Sequence, residues 1–271
     1  MDLQTLGPAE HTQVTHELQF LQQYRHPHII RLLDLERTEK YFYLVLEFAE
    51  SDLFAYLSRT GALGEDQARF FFKQIVDAIA YLHGNRLAHR DLKLENFVVT
   101  STGVVKVIDF GLSARITPHS KLADMCGSMA YSPPEIVMQV PYDGTAADIW
   151  SLGIVLYTLL LGGFPFYSQD PAMMKDQITK LGKLRFPKWL SQSAKELIVS
   201  MLHRHPEHRV GIFDVQEHRW LVGATTPNTS ADSSVLDRSK ESPNSAGSGG
   251  AGGGTPSSST SSPASFMFHL E

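Results

Sequence analysis

The chain has 271 residues, 42% of them hydrophobic, so it can bury a substantial core, and its length allows one or two domains. A formal net charge of −5 provides no basic face for nonspecific nucleic-acid or anionic-membrane binding, and neither partner is expected. The single cysteine, Cys126, excludes an internal disulfide and a cysteine-pair zinc site and points to a reducing compartment, while Met1-Asp2-Leu3-Gln4 lacks the basic and apolar regions of a secretory signal.

Residues 1 to 16 are mostly polar and contain neither a lysine nor a glycine cluster. Apolar residues at 14, 18, 20, 21 and 24 predict an amphipathic helix from Val14 to Tyr24 that ends before His26-Pro27. Two strands follow, Ile29 to Leu35 and Tyr41 to Phe48, around a turn over Glu36 to Lys40. Glu65 to His83 is apolar at 68, 71, 72, 75, 76, 79 and 82, which predicts a core helix beneath the loop that follows it.

That loop, His89-Arg90-Asp91-Leu92-Lys93-Leu94-Glu95-Asn96, carries the chemistry, and Asp109-Phe110-Gly111 begins thirteen residues after Asn96. Asp91 and Asn96 offer a carboxylate that can accept a hydroxyl proton and an amide that can ligate Mg²⁺; Asp109 offers a second metal ligand. Between them, residues 97 to 108 read as two β-branched strands around a Thr-Gly turn, so both metal ligands end neighbouring strands and can meet at one ion. Either tripeptide alone is common in turns; in this order and at this spacing they are specific.

The pair resembles the signature of eukaryotic protein kinases. Arg25-His26-Pro27-His28-Ile29-Ile30-Arg31-Leu32 narrows the resemblance to the AMP-activated-kinase-like branch of the calmodulin-kinase group. It implies an α+β fold with a mainly helical C-terminal lobe and a truncated β-rich N-terminal lobe. A kinase domain would span 1–222, with 1–48 a small-lobe remnant and 49–222 the C-terminal lobe; residues 223–271, rich in Ser, Gly and Pro, would be a disordered tail. The implied cofactors are ATP and Mg²⁺, and the partner is a protein substrate.

Residue by residue, the resemblance makes Asp91 the catalytic base, Lys93 the contact to the transferred phosphate, and Asn96 and Asp109 the metal ligands. Lys93 and Gly127-Ser128 imply a Ser/Thr acceptor. Leu46 becomes the gatekeeper, Glu47-Phe48-Ala49 the hinge to the adenine edge, Asp52 the ribose contact and Val98 the floor of the adenine pocket. Glu95 matches a position that reads an arginine upstream of the acceptor in some relatives and serves only structure in many others.

Glu17 takes the place of the acidic residue of the regulatory helix. Asp124 stands where relatives carry an activating phosphothreonine, facing Arg90 and also Arg115. Glu135, ending Ser132-Pro133-Pro134-Glu135, should pair with Arg209 of His205-Pro206-Glu207-His208-Arg209, and Asp148 should bond the catalytic-loop backbone. The apolar run from Ile154 to Leu161 is too short to span a bilayer and reads as part of a buried helix that opens at Asp148. Helices over 171–181 and 193–202 complete the expected lobe.

The chain contains no Gly-rich loop before Glu17 and no lysine before Lys40, so the phosphate clamp of the family is missing from it and an N-terminally truncated kinase is expected. Three readings stay open: a Ser/Thr kinase shown without its N-terminal segment, a catalytically impaired scaffold or regulatory module, and an unrelated metal-dependent phosphotransferase or purely structural helical protein. A monomer in the cytoplasm, with the nucleus also open to it, is the expectation.

Overall fold

A short antiparallel pair and one helix sit beside a much larger helical assembly. The structure is a computed structural model that describes residues 8–38, 41–117, 121–180 and 184–223; Glu39 and Lys40 of the expected turn, and the expected tail from residue 224, lie outside the described residues. Helix α1 (Pro8–Gln23) begins earlier than the apolar spacing predicts, since a proline is tolerated where a helix's first amides lack partners anyway. It buries Phe20 and Leu21, and Phe20 stacks on Phe110 with ring centres 3.9 Å apart.

Strands β1 (Leu32–Arg37) and β2 (Phe42–Leu46) pair antiparallel, with an irregularity between Leu32 and Asp34. Both are shorter than predicted. Ile30 donates to the Val107 carbonyl at 3.0 Å and Val107 to that of His28 at 2.9 Å, so the segment before β1 is tied to the strand that leads into Asp109 instead of joining the ladder. Leu33, Tyr43 and Val45 remain exposed, leaving apolar surface on the small pair uncovered.

Strand β3 (Ser51–Asp52) leads into α2 (Leu53–Thr60) and α3 (Glu65–Gly84). Asp52 caps α2 by accepting the Ala55 amide at 2.7 Å, a helix start typical of a short carboxylate. Helix α3 buries the predicted stripe, including Phe72, Ile75 and Ile79, and ends where β4 (Leu87–Ala88) begins. Strands β5 (Phe97–Val99) and β6 (Val105–Val107) form the predicted hairpin, with Gly103 at φ 79 supplying the turn conformation that glycine adopts freely. Strand β7 (Ala114–Arg115) pairs with β4.

The remaining helices are α4 (Pro134–Val137), α5 (Gly144–Leu161), α6 (Pro171–Lys180), α7 (Gln192–Met201), α8 (Ile212–Glu217) and α9 (Arg219–Val222). Asp148 does not open α5. Asp143 caps it through the Thr145 and Ala146 amides, and Asp148 lies in its second turn, where its side chain points into protein. By length and composition α5 could cross a membrane, but 83% of it is buried within the protein, as for a core helix apolar on every face.

Candidate active site

Buried Asp148 shapes the loop on which the site is built. Its Oδ2 accepts the His89 amide at 2.9 Å and lies 2.9 Å from His83 Nε2, while its Oδ1 accepts the Arg90 amide at 2.9 Å. One carboxylate thus holds two consecutive amides. Between them Arg90 is held at φ 69, a left-handed conformation costing a residue with a Cβ about 1–2 kcal/mol. His89, fully buried, bonds the Ile108 carbonyl through Nε2 at 3.1 Å and so joins this loop to the one that carries Asp109.

The turn places Asp91 among donors. Lys93 Nζ lies 2.6 Å from its Oδ2, the Ser128 amide donates to its Oδ1 at 3.2 Å, and Asn96 Nδ2 donates to its carbonyl at 2.9 Å and its Oδ2 at 3.2 Å. Burial works against the charge of Lys93, but the hydrogen bond and the charge of Asp91 outweigh it and raise the lysine pKa. Gly127 allows the approach of Ser128: it sits at φ 88, and a Cβ there would lie 2.8 Å from the Arg90 carbonyl oxygen.

Because Asn96 commits its amide nitrogen to Asp91, its Oδ1 is left for another ligand, and no described residue bonds it. Asp109 follows β6 at the same end of the hairpin, at φ 64 and exposed. Glu17 on α1 faces the same place. Burial first, then the negative field of Asp109, raises its carboxyl pKa, with the Phe110 amide opposing. The raised carboxyl of Glu17 marks the place as short of positive charge, and the oxygens of Asp109 and Asn96 are of the kind that suits Mg²⁺, a hard cation that takes oxygen ligands.

The expected adenine edge is preorganised. The Glu47 amide bonds the Arg31 carbonyl at 3.0 Å, and its side chain accepts from the Arg31 amide at 2.9 Å and Lys106 Nζ at 2.8 Å. The Ala49 amide and carbonyl have no backbone partner among the described residues, so both can serve a planar ligand edge. Asp52 and Val98 are directly paired across β3 and β5, but Asp52 spends one carboxylate oxygen on the α2 cap, leaving only the other for a ribose hydroxyl.

The segment beyond Asp109 is fastened at two points. Arg90 Nη1 reaches Asp124 Oδ2 at 3.3 Å and Tyr142 Oη at 3.4 Å, and Tyr142 donates to the Asp124 carbonyl at 3.1 Å. Arg115 does not join them; it donates to Tyr24 Oη at 3.2 Å. Burial pushes the Tyr142 hydroxyl up to about 12, so it stays protonated and able to donate. At the far end Glu135 and Arg209 form a two-pronged pair at 2.6 and 2.7 Å, with the guanidinium 5.1 Å from the Trp150 ring centre.

A protein kinase domain model matches residues 1–221. The chain belongs to the protein kinase family. It is 40% identical over 199 residues to protein kinase kin1 of Schizosaccharomyces pombe, covering 73% of this chain and 22% of that protein. It is 38% identical over 217 residues to the probable serine/threonine-protein kinase MARK-A of Dictyostelium discoideum, covering 80% and 20%. With the carbon catabolite-derepressing protein kinase of Candida tropicalis it shares 39% over 209 residues, covering 77% and 33%. The chain therefore spans about a fifth to a third of these relatives.

Three contributors escaped the sequence reading. His83 and Tyr142 act across 65 and 52 residues of chain, on Asp148 and Arg90, with no local pattern to announce them. Tyr131 donates to Glu95 at 3.4 Å and accepts the Leu94 amide at 3.3 Å, which holds the loop from the side of the activation segment, residues 109–135.

Proposed function

We propose that this domain transfers the γ-phosphoryl group of ATP to a serine or threonine hydroxyl of a protein substrate. The observation that carries the reading is the setting of Asp91, its carboxylate held by Lys93, Ser128 and Asn96 at a loop end where an acceptor hydroxyl can approach. Asp91 would accept the hydroxyl proton and orient the oxygen, and Lys93 would stay charged beside it to meet the transferred group. Asn96 Oδ1 and Asp109 would hold Mg²⁺, which when bound neutralises phosphate charge. Glu47 and Ala49 would bind the adenine edge, and Val98 and Asp52 the nucleoside. Exposed Glu95, bonded among the described residues by Tyr131 alone, supports a preference for an arginine upstream of the acceptor.

Residues 1–222 would act as one catalytic unit, with 1–48 as the small-lobe part and 49–222 as the helical lobe. A second reading, a scaffold without turnover, is favoured by one observation: among the described residues Glu17 meets the negative field of Asp109 and no lysine. A decisive test joins the chain to a small-lobe segment with a Gly-rich loop and a strand lysine, then follows phosphoryl transfer from radiolabelled ATP to Ser, Thr and Tyr peptides. Transfer to Ser and Thr that is lost in Asp91→Asn supports the kinase reading; Mg·ATP binding without transfer supports the scaffold.

A further inference from the structure

We propose that His203, His205 and His208 form a binding site for a borderline divalent metal ion of the zinc class. They lie on the loop between α7 and the Arg209 anchor, three of the twelve histidines of the chain within six residues. A short turn over Pro206–His208 folds this loop back on itself, so that every pair of the three rings is close: 6.0 Å between the centres of His203 and His205, 5.1 Å for His203 and His208, and 5.9 Å for His205 and His208.

With Zn–N bonds of about 2.0–2.1 Å and tetrahedral angles, each ring centre lies roughly 3 Å from the metal and two ligating rings have centres roughly 5 Å apart. The His203–His208 pair already has this spacing at 5.1 Å, and the other two pairs, at 6.0 and 5.9 Å, must close by about 1 Å. Among the described residues no three donors converge on one point as the rings stand, so binding requires them to turn about their side-chain bonds. His205 and His208 are exposed and can turn into solvent, where nothing packs against them tightly.

His203 is the fixed member. Its Nδ1 lies 3.3 Å from the His205 carbonyl oxygen, to which it donates in the tautomer that leaves the Nε2 lone pair for a metal; in the other tautomer it accepts the His205 amide at 3.2 Å. A ring held through its far nitrogen by a carbonyl is the usual support of a metal-bound imidazole. Glu207, with Oε1 3.9 Å from His205 Nδ1, can supply a fourth ligand, and water can take that place otherwise. Imidazole donors with at most one carboxylate select zinc-class ions over Mg²⁺ and Ca²⁺, which prefer oxygen.

The loop also holds Arg209, whose Nε donates to the His203 carbonyl at 2.9 Å. A metal that ties His203 to His205 and His208 therefore braces the carbonyl that positions the partner of Glu135. This site lies outside the phosphoryl-transfer residues, and its test reads metal binding alone, so it stands or falls separately from the proposed activity.

The experiment uses the full chain, freed of metal with a chelator, and Zn²⁺ alone as the probe. Calorimetry should give one strong equivalent, the melting temperature should rise with Zn²⁺ and not with Mg²⁺ or Ca²⁺, and Co²⁺ should give the visible absorption of tetrahedral nitrogen coordination. His203→Ala, His205→Ala and His208→Ala should each weaken Zn²⁺ by tenfold or more and remove the Co²⁺ band, with metal-free melting temperatures unchanged as proof of folding. His26→Ala, at the other close histidine pair, should change neither readout. Zn²⁺ bound by the triple alanine variant with unaltered affinity, or no stoichiometric uptake by the wild type at several-fold excess, would overturn the proposal.

Discussion

Arg90 Nη1 lies 3.3 Å from Asp124 Oδ2, joining the catalytic loop to the middle of the activation segment through one unmodified ion pair. The two partners differ in setting: the Arg90 side chain is 9% exposed and that of Asp124 78% exposed. Water screens such a pair, so it is worth only about 0–1 kcal/mol, and a carboxylate carries less charge than a phosphate. Charge mimicry, if it operates, is therefore partial.

The first prediction follows for a form of the protein with a complete small lobe. Asp124→Ala should lower kcat/KM by no more than about fivefold, the rate equivalent of ~1 kcal/mol. Asp124→Thr should regain activity, and exceed wild type, only after an upstream kinase phosphorylates it. Equal kcat/KM in wild type and both variants would leave Asp124 as a solvated loop residue.

The second concerns the 271-residue chain assayed alone. Without a lysine against Glu17 or a glycine loop over the phosphates, positioning and charge stabilisation are missing, and these are the main catalytic tools for this reaction. Steady-state assays should find turnover far below the ~1–100 s⁻¹ usual for kinases. In a form that does turn over, Asp91→Asn should cost about 10²–10⁴-fold in kcat, the usual worth of a general base. An unchanged kcat would remove Asp91 from the chemistry.

Stability provides the third. Removing Arg209 leaves the Glu135 carboxylate buried without its partner, an arrangement that costs about 3–5 kcal/mol. Arg209→Ala should lower Tm by roughly 6–20 °C, at about 2–4 °C per kcal/mol for a domain of this size. The double variant with Glu135→Ala should lose less than the two single variants together, because each removes the same contact. Strict additivity of the Tm losses would mean that the pair is not coupled.

Glu17 gives a pH dependence of opposite sign to that of most carboxylates. Burial and the Asp109 field raise its pKa in the folded state, so the folded chain binds more protons than the unfolded one above the ordinary value of 4.5. Its contribution to stability is therefore fully present below 4.5 and is lost as pH rises through the raised pKa. Glu17→Gln, which keeps the neutral form, should melt higher than wild type at neutral pH, and the two should converge in acid. A constant gap across pH would show that the Phe110 amide, and not burial, controls this carboxyl.

The site was legible where chemistry restricts residue choice. His89 to Asn96 and Asp109 to Gly111 stood out because few side chains accept a proton or bind Mg²⁺, and the β-branched run between them announced its hairpin. The Glu135–Arg209 pair was anticipated from the family pattern. Helix starts were harder to read: both Asp143 and Asp148 suit one, and only the accepting geometry at Thr145 and Ala146 distinguishes them. Asp52 could be read as a ligand contact, but sequence alone did not reveal that it also caps α2. Arg115 and Asp124 share a segment yet not a partner, because Tyr24, just past the end of α1, captures the arginine from 91 residues away. Such choices depend on which elements meet, and periodicity does not contain that information.

The grip of Asp148 on the His89 and Arg90 amides has a consequence for how the molecule comes apart. Those two amides are anchored to the second turn of the deeply buried helix α5, so they should exchange with deuterium only when the helical lobe itself opens, whereas α1, joined to the site chiefly through the Phe20–Phe110 stack and the Glu17 carboxylate, can detach first. The proton-accepting loop thus belongs to the slow-exchanging body of the protein, and the Glu17 side of the site to its labile fringe. Partial unfolding would erase the phosphate-facing wall and leave the proton-accepting loop intact, ready to be recompleted without refolding.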